Sequence, residues 1–116
     1  MALAAAAAGL AVAARVATAG GEAEVNRLLA ASVRQLEAGD LEAALRSARR
    51  AVRLAPDNPV AHNNAAVVFD RAGHHDLAMQ ELRVAVHLDP DYEEAHYNLA
   101  HVYLELARQL EEGEDE

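Results

Sequence analysis

Small and apolar residues recur along this chain at helical spacing, in blocks separated by Gly and Pro. Residues 25–38 contain neither breaker and place Leu28, Ala31, Ser32 and Gln35 at helical intervals. Residues 41–54 carry an apolar stripe at i, i+3, i+4 and i+7 spacing, which predicts a second amphipathic helix. That stripe is Leu41, Ala44, Leu45, Ala48, Ala51 and Val52. Gly39-Asp40 separates the two blocks and Pro56 follows the second, so the pattern predicts a helical pair.

The same pattern returns after 34 residues, with 11 identities in 34 pairs between residues 25–58 and 59–92. Gly39 falls on Gly73 and Pro56 on Pro90, so the turn residues recur as well. Asn58 before Pro59 predicts a helix N-cap followed by proline in the first turn. A third copy begins at residue 93 and is expected to contain one long helix, to about Glu111, and no second one. A repeat of this length indicates a stacked array.

The repeated residues resemble those of the tetratricopeptide repeat (TPR) family. The family pattern of two small residues, an aromatic, Gly, two Ala and Pro is present as Ala65, Ala66, Phe69, Gly73, Ala78, Ala85 and Pro90. Leu28 and His62 stand where the family usually has tryptophan, and Gln35 replaces the aromatic in the first copy.

The resemblance implies an all-α fold of antiparallel helical pairs stacked as a short right-handed solenoid of about two and a half units. The expected domains are an Ala-rich helix with a Gly-Gly linker (1–22), the TPR domain (23–110) and an acidic tail (111–116). Within the TPR domain the units are 25–58, 59–92 and a half repeat or capping helix at 93–110.

In this family the first helix of each unit lines a concave groove that binds peptides or helices of other proteins. Carried over residue by residue, the lining would be Asn26, Leu29, Val33, Leu36, Asn63, Asn64, Val67, Asp70, Arg71, Tyr97, Asn98, His101 and Leu104. Several of these are apolar where solvent exposure is expected, which favours a docking surface. The alternative is that the strip is covered internally, for instance by residues 2–19. Of the residues with which one TPR subtype clamps chaperone tails only Asn64 is present, which disfavours that ligand.

The residue types give little support for catalysis or for a cofactor. The chain has no Cys and no Lys, two Ser and one Thr, so covalent nucleophiles are scarce. No combination of His and carboxylate residues stands out. His62 and His96 occupy equivalent repeat positions roughly 10 Å apart, too far for one zinc ion. We therefore expect no enzyme, no metal site and no cofactor.

Charge is divided unevenly between the two halves of the chain. Residues 1–58 carry seven Arg and six acids, and residues 59–116 carry three Arg and thirteen acids. This asymmetry favours head-to-tail association or a basic partner, against the alternative of a soluble surface with an acidic end. A secondary basic patch is formed by Arg46, Arg49, Arg50 and Arg53; its alternative is a solvated outer face with a Glu42–Arg46 pair. The net charge of −9 and few aromatics disfavour nucleic-acid binding.

Residues 1–14 contain no charged side chain and are mostly Ala. A secretory signal would need basic residues near Met1, and a membrane span would need about 20 strongly apolar residues. An Ala-rich helix that packs on protein is favoured over both.

The sequence thus predicts a cytoplasmic adaptor that binds a peptide or helix of a protein partner. Its alternative is a self-assembling or accessory structural subunit, with homo-oligomers, attached through its N-terminal helix to a complex or a membrane. Membrane association or export through residues 1–19 remains the alternative location.

Overall fold

The computed structural model describes residues 21–114, which form five α-helices in succession and no strand. The helices are α1 (Glu22–Glu37), α2 (Leu41–Leu54), α3 (Pro59–Arg71), α4 (His75–Leu88) and α5 (Glu93–Glu114). The helices predicted within the described residues are all present, and α5 continues three residues beyond the expected Glu111. The prediction of an all-α helical-repeat solenoid is confirmed.

Each helical pair turns through a glycine with a left-handed backbone. Gly39 has φ +82° and Gly73 has φ +86°, a region that L-residues with a Cβ disfavour. After α1, the Gly39 N–H donates to the Leu36 carbonyl at 3.1 Å and the Asp40 N–H donates to the Gln35 carbonyl at 2.9 Å. This pair of bonds is the Schellman motif that satisfies the last carbonyls of a helix. The turn at Gly73 repeats it, with the Gly73 N–H bonded to the Asp70 carbonyl and the His74 N–H to the Phe69 carbonyl, so the two recurring glycines share one turn geometry.

Helix starts are fixed by side-chain caps at two of the junctions. The Asn58 Oδ1 accepts hydrogen bonds from the N–H groups of Val60 at 2.9 Å and Ala61 at 3.3 Å. The Asp40 Oδ1 accepts from the Ala43 N–H at 3.1 Å. These bonds satisfy donors that an isolated helix leaves free, and Pro59 has no N–H to satisfy. The predicted N-cap at Asn58 is therefore present.

The helices stack in chain order, and each contacts its neighbours in sequence. In addition α1 contacts α3, and α3 contacts α5, whereas α2 and α4 do not touch. The array therefore has an inner face, along α1, α3 and α5, and an outer face on which α2 and α4 are separated. The small residues Ala44, Ala51, Ala78 and Ala85 are fully buried between the helices. Larger side chains complete the core; those with the least exposure are Leu29, Leu82, Val60, Val68 and Val102.

Some large apolar and aromatic side chains lie at the surface rather than between successive units. Leu54 is 49% exposed and Leu88 36% exposed, because each is the last residue of its helix, beyond the contact with the next unit. Tyr103 on α5 is 47% exposed.

The predicted Ala-rich helix and the end of the acidic tail lie outside the described residues. None of the five described helices has the length and apolar character needed to cross a lipid bilayer. The domain boundaries and the role of residues 1–19 stay predictions.

Candidate functional site: the inner face

The inner face contains the predicted groove residues, but seven of them are buried. Their exposures are 0% for Leu29, 7% for Val33, 3% for Leu36, 0% for Asn63, 1% for Asn64, 3% for Val67 and 6% for Asn98. The expectation of an exposed strip is therefore wrong for these seven. The physical reason is the packing between units, because all four apolar members belong to the hydrophobic core. Their part in binding a partner stays a prediction.

A buried chain of polar groups joins the second and third units. Asn98 Nδ2 donates to Asn63 Oδ1 at 3.0 Å, and Asn63 Nδ2 donates to the Tyr92 hydroxyl at 3.3 Å. Asn98 is 6% exposed, so this predicted groove residue also has a packing role. Burial, with the charges of Glu94 and Asp89, raises the pKa of Tyr92 well above its ordinary value, so the hydroxyl stays neutral.

Asn64 occupies the same repeat position as Asn98, but its side-chain oxygen and nitrogen have no hydrogen-bond partner among the described residues. The 34-residue offset explains the difference. Asn98 donates to Asn63, and the residue equivalent to Asn63 in the first unit is Leu29, which offers no polar atom. A buried amide without partners is costly, because it loses its bonds to water and gains none in return. The side chain of Asn64 therefore lowers the free energy of unfolding.

The exposed part of the inner face is a stripe on α5 made of Tyr97, His101 and Leu104, which we name the α5 stripe. Tyr97 is 48% exposed, Leu104 is 71% exposed, and the side chain of His101 is 48% exposed. Their i, i+4 and i+7 spacing places them on one helical face. Large apolar and aromatic side chains that share one exposed helical face are typical of a protein docking surface.

A His–Asp–His cluster lies beside the α5 stripe and was missed by sequence reasoning. Asp70 Oδ1 is 2.7 Å from His75 Nδ1, and Asp70 Oδ2 is 3.5 Å from His101 Nε2. The Asp70 side chain is 10% exposed. The three residues come from three helices, α3, α4 and α5, so no local spacing in the sequence indicates that they meet. The cluster links the centre of the stripe, at His101, to α3.

The remaining predicted groove residues lie at the edges of the inner face. Arg71 is exposed at the end of α3. Asn26 is half-buried and lines a cavity of about 370 Å³ beside the loops that follow α2 and α4. Leu54 and Tyr92 also line this cavity. The structure thus distributes the predicted lining among the core, the α5 stripe and this edge cavity.

Two histidines at equivalent repeat positions hold the joints between units. His62 Nε2 donates to the Pro56 carbonyl at 2.7 Å, and His96 Nε2 donates to the Pro90 carbonyl at 2.8 Å. His62 makes a second bond, from Nδ1 to Glu81 Oε2 at 2.6 Å. Within residues 21–114 no group of His, Cys, Asp and Glu side chains is arranged to hold a metal ion.

The charge state of His62 follows from its two acceptors. A carbonyl and a carboxylate oxygen both accept, so both ring nitrogens must carry protons. Burial alone lowers the pKa of His62, but the bonds to Glu81 and to the Pro56 carbonyl, together with the charges of Glu81 and Asp57, outweigh it. The pKa is raised above its ordinary value of 6.5, which favours the imidazolium form.

The four arginines of the predicted basic patch are all exposed on α2. The Arg49 guanidinium lies 5.3 Å from the centre of the Phe69 ring, within cation–π range. Arg50 is 4.0 Å from Glu24. The expected Glu42–Arg46 ion pair is absent from the described structure.

A family model described as TPR repeat matches residues 71–106, from the last residue of α3 into α5. This chain carries a TPR repeat. The resemblance to the TPR family is confirmed by that match, and a helical pair, α1 and α2, precedes it. TPR units are in general protein–protein interaction modules rather than catalysts, so the chain has the architecture of a protein-binding module. No curated protein and no solved structure matches the chain significantly.

Proposed function

We propose that this TPR protein is an adaptor that binds a helix or extended segment of a partner protein on its inner face, through the α5 stripe. The observation that carries the proposal is the exposure of Tyr97 and Leu104 side by side on the inner face of a rigid helix. Buried residues such as Leu29 and Val67 support this surface in the proposal rather than touching the partner.

The side chains of the α5 stripe indicate which kind of partner segment would bind there. An amphipathic segment would place apolar side chains on Tyr97 and Leu104, in the helix-in-groove mode of recognition. His101, held toward Asp70, offers a polar contact at the centre of the stripe. Arg71 at the end of α3 is an exposed cation suited to an acidic group of the partner.

The proposal is tested with helical peptides selected from a random library against the whole protein. Binding is then measured by fluorescence anisotropy for wild type, for Tyr97→Asp and for Leu104→Asp. Burial of one leucine is worth roughly 1.5 to 3 kcal/mol, so we expect Kd to rise about 10- to 100-fold.

Tyr103→Asp is the matched control, because Tyr103 is 47% exposed against 48% for Tyr97, on another face of the same helix. We expect this control to bind like wild type. Peptides that lose affinity for Tyr103→Asp and keep it for Leu104→Asp would show that the α5 stripe is not the binding surface. Circular dichroism of each variant checks that the helices remain folded.

A further inference from the structure

The outer face contains an apolar furrow between α2 and α4. These two helices do not touch, and α3 forms the floor between them. The furrow encloses about 300 Å³, enough for a large apolar side chain. Its lining consists of Arg49, Val52, Arg53, Ala65, Phe69, Leu77 and Glu81. We name this feature the outer furrow.

The charges at the outer furrow leave a positive edge along α2. Glu81, its one acidic lining residue, is engaged by His62 at 2.6 Å. Arg46 and Arg53 are exposed and have no ion-pair partner among the described residues. Arg49 covers Phe69 with its guanidinium. The furrow therefore combines an apolar floor with cations that lack a counterion from the protein.

The end of α5 has the complementary composition. Leu110 is 72% exposed, although it is a large apolar side chain. It is followed directly by Glu111 and Glu112, both exposed, and residues 111–116 contain five acidic residues. Glu112 has a nearby cation, Arg108, at 3.6 Å, whereas Glu111 has no ion pair among the described residues. An exposed leucine followed by acidic residues is complementary, in both charge and polarity, to an apolar furrow that is edged by arginines.

We propose that the outer furrow binds the end of α5 from a second copy of this chain, with Leu110 in the furrow and the acidic residues after it against Arg46 and Arg53. The same chain does not make this contact, because α5 is continuous through Glu114 and Leu110 remains exposed. The outer furrow and the end of α5 are different surfaces. Each copy therefore inserts its own α5 end into one neighbour and accepts the α5 end of another. Such a heterologous contact extends into a chain or closes into a ring. It lies on the opposite face from the proposed partner-binding stripe and does not depend on it.

The test measures molecular mass by sedimentation equilibrium over a range of concentrations up to about 1 mM, at low and high salt. Wild type is expected to associate with increasing concentration, and less so at high salt. Leu110→Asp and Arg53→Glu are each expected to weaken association at least tenfold. Leu104→Asp is the matched control, since Leu104 is 71% exposed on the same helix but belongs to the α5 stripe; it should associate like wild type.

Mixing the two defective variants identifies the contact itself. Arg53→Glu keeps an intact α5 end and Leu110→Asp keeps an intact furrow, so their mixture should form dimers and nothing larger. A wild-type protein that stays monomeric at low salt would overturn the proposal. Association that Leu110→Asp leaves unchanged, or a mixture that remains monomeric, would overturn it as well. Since Leu104→Asp reports on the inner face alone, failure of one proposal is separable from failure of the other.

Discussion

Replacing the same residue at equivalent positions of two successive units is expected to change stability in opposite directions. Asn64 and Asn98 share one repeat position, yet Asn98 donates to Asn63, whereas Asn64 has no partner within residues 21–114. Leucine branches at Cγ like asparagine and has the same number of side-chain heavy atoms. Asn64→Leu and Asn98→Leu are therefore a matched pair in shape.

The magnitudes follow from the hydrogen bonds. A buried polar group without a partner costs about 1 to 3 kcal/mol, so Asn64→Leu should raise the free energy of unfolding by about that amount. Asn98→Leu instead leaves Asn63 Oδ1 buried without its donor and should lower the free energy of unfolding by about 1 to 3 kcal/mol. The methyl groups of leucine are slightly larger than the amide oxygen and nitrogen that they replace. The resulting strain lowers the stability of both variants by a similar amount, so it does not change the difference between them. The expected separation between the two is about 2 to 6 kcal/mol.

Urea unfolding followed by far-UV circular dichroism measures this separation. The midpoint for Asn64→Leu should lie above that of wild type and the midpoint for Asn98→Leu below it, with similar slopes. If both variants lowered the midpoint by the same amount, Asn64 would have a favourable interaction after all. Such a result would refute the inference that Leu29, at the position equivalent to Asn63, leaves Asn64 without a partner.

Three further predictions use the same assay. Gly73→Ala should lose about 1 to 2 kcal/mol because its φ is +86°, whereas Gly21→Ala, at φ −63°, should be neutral or slightly stabilising. Asp40→Ala should lose about 1 kcal/mol with its helix cap, and no change would show that the cap bond contributes nothing. Because the folded pKa of His62 is raised, its charged form stabilises the fold fully below pH 6.5, and this stabilisation disappears as pH rises through the raised value. The stability deficit of His62→Gln should therefore shrink with rising pH, and a deficit independent of pH, or one equal to that of His96→Gln at every pH, would contradict this.

Features set within one helical pair were predictable from the sequence. The left-handed turn at Gly73 and the cap at Asn58 depend on a few adjacent residues, and the 34-residue offset identified the helices and their order. The observed helix ends lie close to the predicted ones for the same reason.

Contacts between units were not predictable in the same way. Asp70 and His101 are 31 residues apart and meet only because α3 and α5 pack side by side. The burial of Leu29 and Val67 also depends on how closely successive units approach each other, which the repeat pattern leaves open. The candidate site was therefore placed on the correct helices, but its exposed part could be found only from the packed structure.

The histidine at each joint between units has a mechanical consequence. At the first joint His62 is buried and ties the Pro56 loop, α3 and α4 together through two bonds. At the second joint His96 is exposed and holds the Pro90 carbonyl by one bond. The second joint is held mainly by other bonds, the Asn98–Asn63–Tyr92 chain and the Asp70–His101 contact, which have no counterpart at the first among the described residues. The angle of α5, and with it the orientation of the binding stripe, therefore depends on these polar contacts with α3 more than on the single bond of His96.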